Sequence, residues 1–336
     1  MERRIQMTKE EALEKLRMYN SFGINDYIYR NHRGEYCRKK VYDRYSPSFF
    51  ENNEILKDKD FMAEAIKING NILEIADENI RYDKDLLLMA AKNTDILPWC
   101  IKLPEYLLSD EKFMTELLCN DGNFLRQVKF NYATPFTEVE KNFIKAAVSN
   151  NYQSCKYVYL ELIFNFHPEC IDFAYELLAI NAMTLRYFGQ KLRDDEKIVL
   201  KAIEYSYRSY EFASNRLRND EEFVLRVLEI NPSCLAYAPR RMREDRELVM
   251  RLMKKDPFVY RYAKGEMEND PRLALEAVKG APHLYDFLSF KMMENQEFLI
   301  GLEEYIDDEK TDQMIKERLR NCLETNKAYR RLKGIL

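Results

Sequence analysis

The chain is poor in the residues that make tight turns, with nine glycines and ten prolines in 336 residues. That scarcity argues against folds built on many short turns, among them all-β and Rossmann-type architectures, and favours helices joined economically. Histidine is rarer still: His32, His167 and His283 lie far apart, and the seven cysteines include no C-x-x-C pair. Zinc-type ligand spacing is therefore missing, and the cysteines read as small buried hydrophobes in a reducing compartment. There is no glycine-rich phosphate loop and no local nucleophile signature, so a non-catalytic protein is expected, with no cofactor and no metal. The N-terminus, MERRIQMTKEEALEKL, lacks the apolar core of a signal peptide. No stretch approaches the roughly 18 apolar residues that a membrane span needs, so a cytoplasmic protein without membrane contact is expected.

What is present is a balance that folds. Hydrophobic residues make up 46% and charged residues 33%, enough for both a large core and a solvated surface. The formal net charge of −4 is unevenly spread. Residues 1–48 hold eleven Lys/Arg against seven Asp/Glu, and residues 309–336 hold eight against four. Removing these ends from the totals of 53 and 57 leaves 34 basic and 46 acidic residues in 49–308, a balance of −12. Both ends are basic and the body is acidic.

The body repeats. Residues 195–219 read DEKIVLKAIEYSYRSYEFASNRLRN, residues 220–244 read DEEFVLRVLEINPSCLAYAPRRMRE, and residues 245–269 read DRELVMRLMKKDPFVYRYAKGEMEN. Anchors at Asp195, Asp220, Asp245 and Asp270 extend without insertion back to Cys170 and on to Asn295, a period of 25 residues. Upstream the pattern recurs at Asp58, Asp83, Asp110 and Glu140, with spacings of 25, 27, 30 and 30 residues. About nine to ten units are implied, irregular over 58–169 and regular over 170–294.

Each anchor acid suits a helix N-cap, and neighbours such as Glu196, Glu221 and Glu222 suit the positive end of the helix dipole. Apolar residues three, four, seven and eight positions later, such as Phe223, Val224, Val227 and Leu228, make one helical face, which Leu225 or Met250 widens. Pro232, Pro257 and Pro282, twelve residues after their anchors, predict the start of a second helix of about ten residues. Leu235, Tyr237, Ala238 and Met242 form its apolar face in one unit, and Tyr260, Tyr262, Ala263 and Met267 in the next. The small residue at Ala213, Ala238 and Ala263 would allow close approach of adjacent helices. Such short helices are marginal alone, so stability must come from stacking unit upon unit. The expected fold is all-α, an α-solenoid of antiparallel helix pairs over 58–303. An N-terminal cap over 1–57 and a C-terminal capping helix over 304–336 would flank it.

The motif of an Asp, two polar residues, an apolar run, Asn-Pro or Asp-Pro, then L-x-Y-A and a closing Leu-Arg or Met-Arg resembles the domain-of-unknown-function family 4116. That family is a helical repeat of bacterial and viral proteins in which one domain covers about two of these units. The resemblance is best over 170–295, looser over 58–169, and absent from 1–50 and the C-terminal tail. Cys170 and Asn295 at the anchor and Tyr207 at the turn-proline position depart from it. It implies a fold and carries no catalytic residues. The family's distribution suggests an inhibitor or adaptor in virus–host conflict.

The ends and the repeat supply candidate binding residues. Thr8 and Glu11 form a capping-box pattern opening a helix to about Asn20. The segment 26–45 mixes Arg30, Arg33, Arg38, Lys39, Lys40 and Arg44 with tyrosines that include Tyr36 and Tyr42. Phosphate-reaching cations beside rings that can stack on bases are what a nucleic-acid contact needs, while the plainer use is to cap the first repeat. In the C-terminal segment Met314, Ile315, Leu319, Cys322 and Leu323 share one helical face. Ladders recur at Lys191, Arg216, Arg241 and Lys291, where Glu266 breaks the row, and at Arg193, Arg218 and Arg243. They could hold a polyanion or be spent on ion pairs between units. Lys201, Arg226 and Arg251 read as a solvated helix side. Tyr207, Tyr210, Tyr260 and Tyr285 fall near turns, and Trp99 sits where the register slips. The leading expectation is a module that binds a partner protein along its extended face. The alternative is an RNA- or nucleoprotein-binding module using residues 26–45 and the ladders.

Overall fold

Asp at the anchor does start a helix. In a computed structural model, which describes residues 8–21, 29–30, 36–37, 53–93, 101–326, 331 and 334, Asp220 accepts from the Phe223 amide and opens the helix Glu221–Ile230. Asp58, Asp110, Asp195, Asp245, Asp270 and Asn295 cap their helices in the same way. The predicted apolar quartet is buried each time: Ile198, Val199, Ala202 and Ile203, then Phe223, Val224, Val227 and Leu228, then Leu248, Val249, Leu252 and Met253. Among the described residues every regular element is helical apart from the antiparallel pairing of Tyr29–Arg30 with Tyr36–Cys37. No described helix is long and apolar enough to cross a membrane.

Two upstream anchors behave differently. Glu140 is not a cap but the third residue of a capping box, its carboxylate accepting from the Thr137 amide at 2.8 Å, so the helix Glu138–Asn150 begins three residues early. Cys170 makes no side-chain cap bond; a 3-10 turn, Pro168–Cys170, leads into the helix Ile171–Ile180 instead.

The second half of each unit is not the ten-residue helix the prolines predicted. It is a six-residue 3-10 helix, such as Pro232–Tyr237 or Pro257–Tyr262, followed by a break and a short helical turn, such as Arg240–Arg243 or Gly265–Asn269. The break falls at the small residue: Ala213, Ala238 and Ala263 are buried, with ψ of 153°, 158° and 147°, extended backbone that no helix contains. The next residue enforces it. Ser214 and Ser289 cap the new turn through their hydroxyls, and Pro239 requires an extended residue before it. A third cap lies at the end of the long helix. Asn69, Asp121, Asn151, Asn231 and Asp256 each donate a backbone N–H to close the preceding helix, while the side chain accepts from the amide two residues on. One Asx residue ends one helix and begins the next.

The described residues gather into two compact units, Met1–Tyr187 and Phe188–Leu336. In the first, the helices Lys59–Ile68, Lys84–Asn93, Glu111–Asn120, Glu138–Asn150 and Ile171–Ile180 each pack on the next. The 3-10 helices Gly122–Gln127, Tyr152–Tyr157 and Ala182–Tyr187 adjoin one another as a second row. Lys9–Ser21 packs on Lys59–Ile68; its start is the reciprocal Thr8–Glu11 capping box, and Lys9 pairs with Asp58.

In the second unit, Glu196–Tyr205 packs on Glu221–Ile230, and the 3-10 helices Tyr207–Phe212, Pro232–Tyr237 and Pro257–Tyr262 again adjoin in series. Backbone bonds tie successive repeats: Ser214 N–H donates to Arg193 O and Lys264 N–H to Arg243 O, each at 2.8 Å. Gln313–Thr325 packs on Gln296–Asp307, burying Leu319 and Leu323. Met314, placed on that face by the sequence, is 79% exposed instead. Asn326 extends the contact by donating to Tyr285 Oη and Met293 O.

Candidate binding surface

The arginine ladders are largely engaged within the fold. Arg216 Nε donates to both Asp194 carboxylate oxygens at 3.0 Å, and its Nη2 to Asp194 O at 2.9 Å. Arg241 Nη2 repeats the carbonyl contact one unit on, donating to Asn219 O at 3.1 Å. Arg193 and Arg218 turn back to Gln190 and Asn215 within their own short helices. The Nε atoms of Arg193, Arg218 and Arg243 are buried. In the solvated row Arg226 pairs with Glu196 of the preceding repeat at 2.5 Å and Lys201 with Glu204 at 2.6 Å. A related series ties anchors together: Lys59 to Asp83, Lys84 to Asp110 and Arg246 to Asp270, each cation following one anchor and reaching the next.

The Ser214 hydroxyl holds the Asp194 carboxyl below its ordinary 3.8; burial opposes this, and Arg216 adds to the lowering. A double-mutant cycle of Arg216→Ala with Asp194→Ala should give a coupling of at most about 1 kcal/mol near neutral pH, because both groups are substantially solvated. A lowered folded value means that this stabilisation is complete above 3.8 and is lost as pH falls through the folded value. Thermal unfolding of the four proteins across that range is the check, and a coupling unchanged in acid would contradict the assignment.

Of the basic N-terminal segment, Arg30 and Tyr36 lie opposite each other on the two short strands. Arg33, Arg38, Lys39, Lys40, Tyr42 and Arg44 lie outside the described residues, as does Trp99. Cys155 and Cys234 are buried, and burial pushes each thiol up to about 12; Cys170 is buried as well, whereas Cys119 is exposed. Of the four tyrosines near turns, Tyr210, Tyr260 and Tyr285 are core residues.

Two surface features remain in the second unit. The first is a set of exposed apolar side chains on the long helices: Tyr205 and Ile230, ten residues after their anchors, and Met250 and Ile300, five residues after theirs, are 44–49% exposed. Between two repeats Leu225 and Met250 line an open groove of about 720 Å³, with Arg241, Asp245 and Arg251 among its charged residues. Met250 therefore belongs to the surface rather than to the core face it was expected to widen.

The second feature lies on the 3-10 helices. Tyr207 and Tyr237 are 6.3 Å apart between ring centroids, the Arg208 guanidinium lies 6.0 Å from the Tyr207 ring, and the Arg261 guanidinium lies 4.4 Å from the Phe287 ring. Neighbouring Tyr262 and Arg208 hold the Tyr207 hydroxyl below the ordinary tyrosine value, and Arg261 adds to this. Burial, with Tyr207 nearby, pushes Tyr262 the other way. Sequence reasoning singled out only Tyr207 here and assigned Tyr237 and Tyr262 to a buried face. The available signal was an aromatic seventeen residues after each anchor: Tyr187, Phe212, Tyr237, Tyr262 and Phe287.

Residues 58–100, 170–218, 195–243 and 245–294 match the family model described as "Domain of unknown function (DUF4116)". Over those segments the chain is built from DUF4116 repeats. No curated protein and no solved structure matches it. The DUF4116 segments at 170–243 and 245–294 include Tyr205, Ile230 and Met250 as well as the aromatic and arginine side chains of the 3-10 helices.

Proposed function

We propose that the chain is a cytoplasmic α-solenoid, capped by helices at both ends, that binds a partner protein through exposed apolar residues of its long helices and performs no catalysis. The recurrence of the same caps, the same buried quartet and the same neighbour contacts within each unit supports the solenoid. The observation that carries the binding reading is the groove between two repeats, lined by the exposed Met250 and by Leu225 with charged residues at its edge; Tyr205, Ile230 and Ile300 add exposed apolar surface on other long helices. Apolar surface bordered by charge is the usual composition of a protein-binding patch. The RNA-binding alternative drew on residues 26–45 and on the ladders; of the ladders, Arg216 and Arg241 already bond to the preceding repeat.

A photo-crosslinking residue at Met250 or Ile230, in the full chain expressed in its source cells, is expected to give a discrete protein adduct that untagged chain competes away. Met250→Glu should weaken binding of the captured protein at least tenfold while leaving thermal unfolding unchanged. Absence of any competed adduct at Tyr205, Ile230, Met250 and Ile300 would refute the proposal.

A further inference from the structure

One repeat of the unit Met1–Tyr187 departs from the others on its surface. Where the repeats at 195 and 220 place the short turns Asn215–Asn219 and Arg240–Arg243, the repeat at 140 places a seven-residue helix, Leu160–Phe166. The ladder arginines, Arg216 and Arg218 or Arg241 and Arg243, give way there to Glu161 and Ile163. Leu160, Ile163 and Phe164 are buried, whereas Tyr159 and Phe166 are each 68% exposed and Leu162 is 37% exposed. At spacings of three and four residues the exposed three share one side, so the apolar arc of this helix is wider than the core covers. Tyr159 is held from behind. Its amide donates to Tyr132 Oη at 3.1 Å, the two ring centroids are 5.7 Å apart, and Tyr132 meets Phe136 edge-on at 5.9 Å. Phe136 in turn packs edge-on against the buried Phe173. A ring fixed in this way loses little freedom when a partner covers it.

The segments that build this surface are short of cations. Residues 130–185 hold six Asp/Glu and three Lys/Arg, with no Lys or Arg over 157–185. The three lysines are engaged: Lys141 pairs with Glu138 at 2.7 Å, Lys145 with Glu176 at 2.9 Å, and Lys156 lies over the Tyr157 ring at 4.8 Å. Lys129, one residue before the segment, is the exposed cation nearest to it in sequence. Against these stand exposed acids along the helix. Glu161, in its first turn, pairs with no cation among the described residues, and Glu169, three residues past its end, faces His167 Nδ1 at 3.4 Å.

We propose that Tyr159, Leu162 and Phe166 dock a short segment of a partner protein that presents large apolar side chains flanked by Lys or Arg. The inference rests on the reading of the chain as a protein-binding module and names the chemistry of a second contact, in the unit Met1–Tyr187 rather than beside Met250. Charge selects this occupant. A second copy of the chain, meeting the patch across a two-fold axis, would set Glu161 against Glu161, and a nucleic acid would meet the same acids. Flanking cations gain from both Glu161 and Glu169 while the apolar side chains cover Tyr159 and Phe166.

The test is selection of random peptides displayed on phage against the immobilised full chain, followed by fluorescence anisotropy with the enriched peptides synthesised and labelled. Enriched sequences are expected to combine Leu, Phe or Trp with Lys or Arg. Phe166→Ser should weaken such a peptide at least tenfold and Glu161→Lys severalfold, and affinity should fall as salt rises. Met250→Glu, with this helix intact, should leave the affinity unchanged. A selection that yields no basic, apolar peptide sensitive to Phe166→Ser would overturn the assignment. So would binding indifferent to Glu161→Lys and to salt, or sedimentation of the free chain as a dimer that Phe166→Ser dissociates. If the selection fails while competed adducts at Met250 persist, this docking surface falls and the protein-binding reading stands. Thermal unfolding checks that both variants, changed at exposed positions, keep the fold.

Discussion

Phe223→Ala is expected to destabilise the unit Phe188–Leu336 by about 3–5 kcal/mol, as for other large aromatic truncations in closed cores. Phe223 is fully buried, its amide donates to the Asp220 cap, and Arg226 lies 5.3 Å from its ring centre. Removing the ring takes packing from the helix and support from the cation that pairs with Glu196 one repeat earlier. Leu225→Ala, two residues along but only half-buried, is the control and should cost a small fraction of that. Urea unfolding followed by circular dichroism measures both. Equal losses at the two positions would mean that the buried quartet does not dominate the stability of the repeat.

The second large effect is expected at a glycine. A β-carbon on Gly122 would lie 2.5 Å from the Ala147 carbonyl oxygen and 2.6 Å from Ser154 Oγ, while the Gly122 amide donates to Asn150 Oδ1 at 3.0 Å. The nearest atom is main chain and cannot swing aside, so Gly122→Ala should force apart the 3-10 helix and the helix Glu138–Asn150, at about 1–3 kcal/mol. Gly301→Ala provides the contrast. There the close atom, at 2.6 Å, is the terminal Cδ2 of Leu275, which can rotate, and alanine is the better helix former. It should be neutral or stabilising, and thermal unfolding of the pair decides between the two outcomes.

The contrast between the halves of each repeat explains what was legible in the sequence. Asp220 followed by Phe223, Val224, Val227 and Leu228 is a local message, a cap and then a 3.6-residue period, and the structure follows it residue for residue. The second half carries competing messages. Pro232 marks a helix start equally well for α and 3-10 geometry, and Leu235, Ala238 and Met242 are all buried although they lie on two elements with a break between them. The cues to that break were present: Asn231 before the proline, and Ser214, Pro239 and Ser289 nineteen residues after their anchors. Glu140 was misplaced for a related reason, since an acid in the first turn and an acid at the cap look alike until Thr137 is considered.

The surface was less legible than the core because its features combine several repeats. Tyr207 comes from one repeat and Tyr237 from the next, while Arg261 lies over Phe287 of the repeat following its own. No single window contains the cluster. The ladders posed the opposite difficulty. Arg216 and Arg241 are conspicuous by period, yet whether such a cation faces a partner or the preceding repeat depends on the rise between units, which one repeat does not encode.

Pro239 gives the seams of this array unequal stiffness. The seams at Ser214 and Lys264 are each closed by a main-chain N–H donated to the repeat before. At Pro239, in the corresponding position between them, the imino nitrogen has no proton to give, and that seam relies on side chains such as Arg241 on Asn219 O. A repeat array pulled or bent as a spring strains most where its joints are softest. In this chain the groove of Leu225 and Met250 spans the next seam, the one closed by Lys264 on Arg243, so a guest seated there rests on the stiffer joint and the bending strain falls one repeat away.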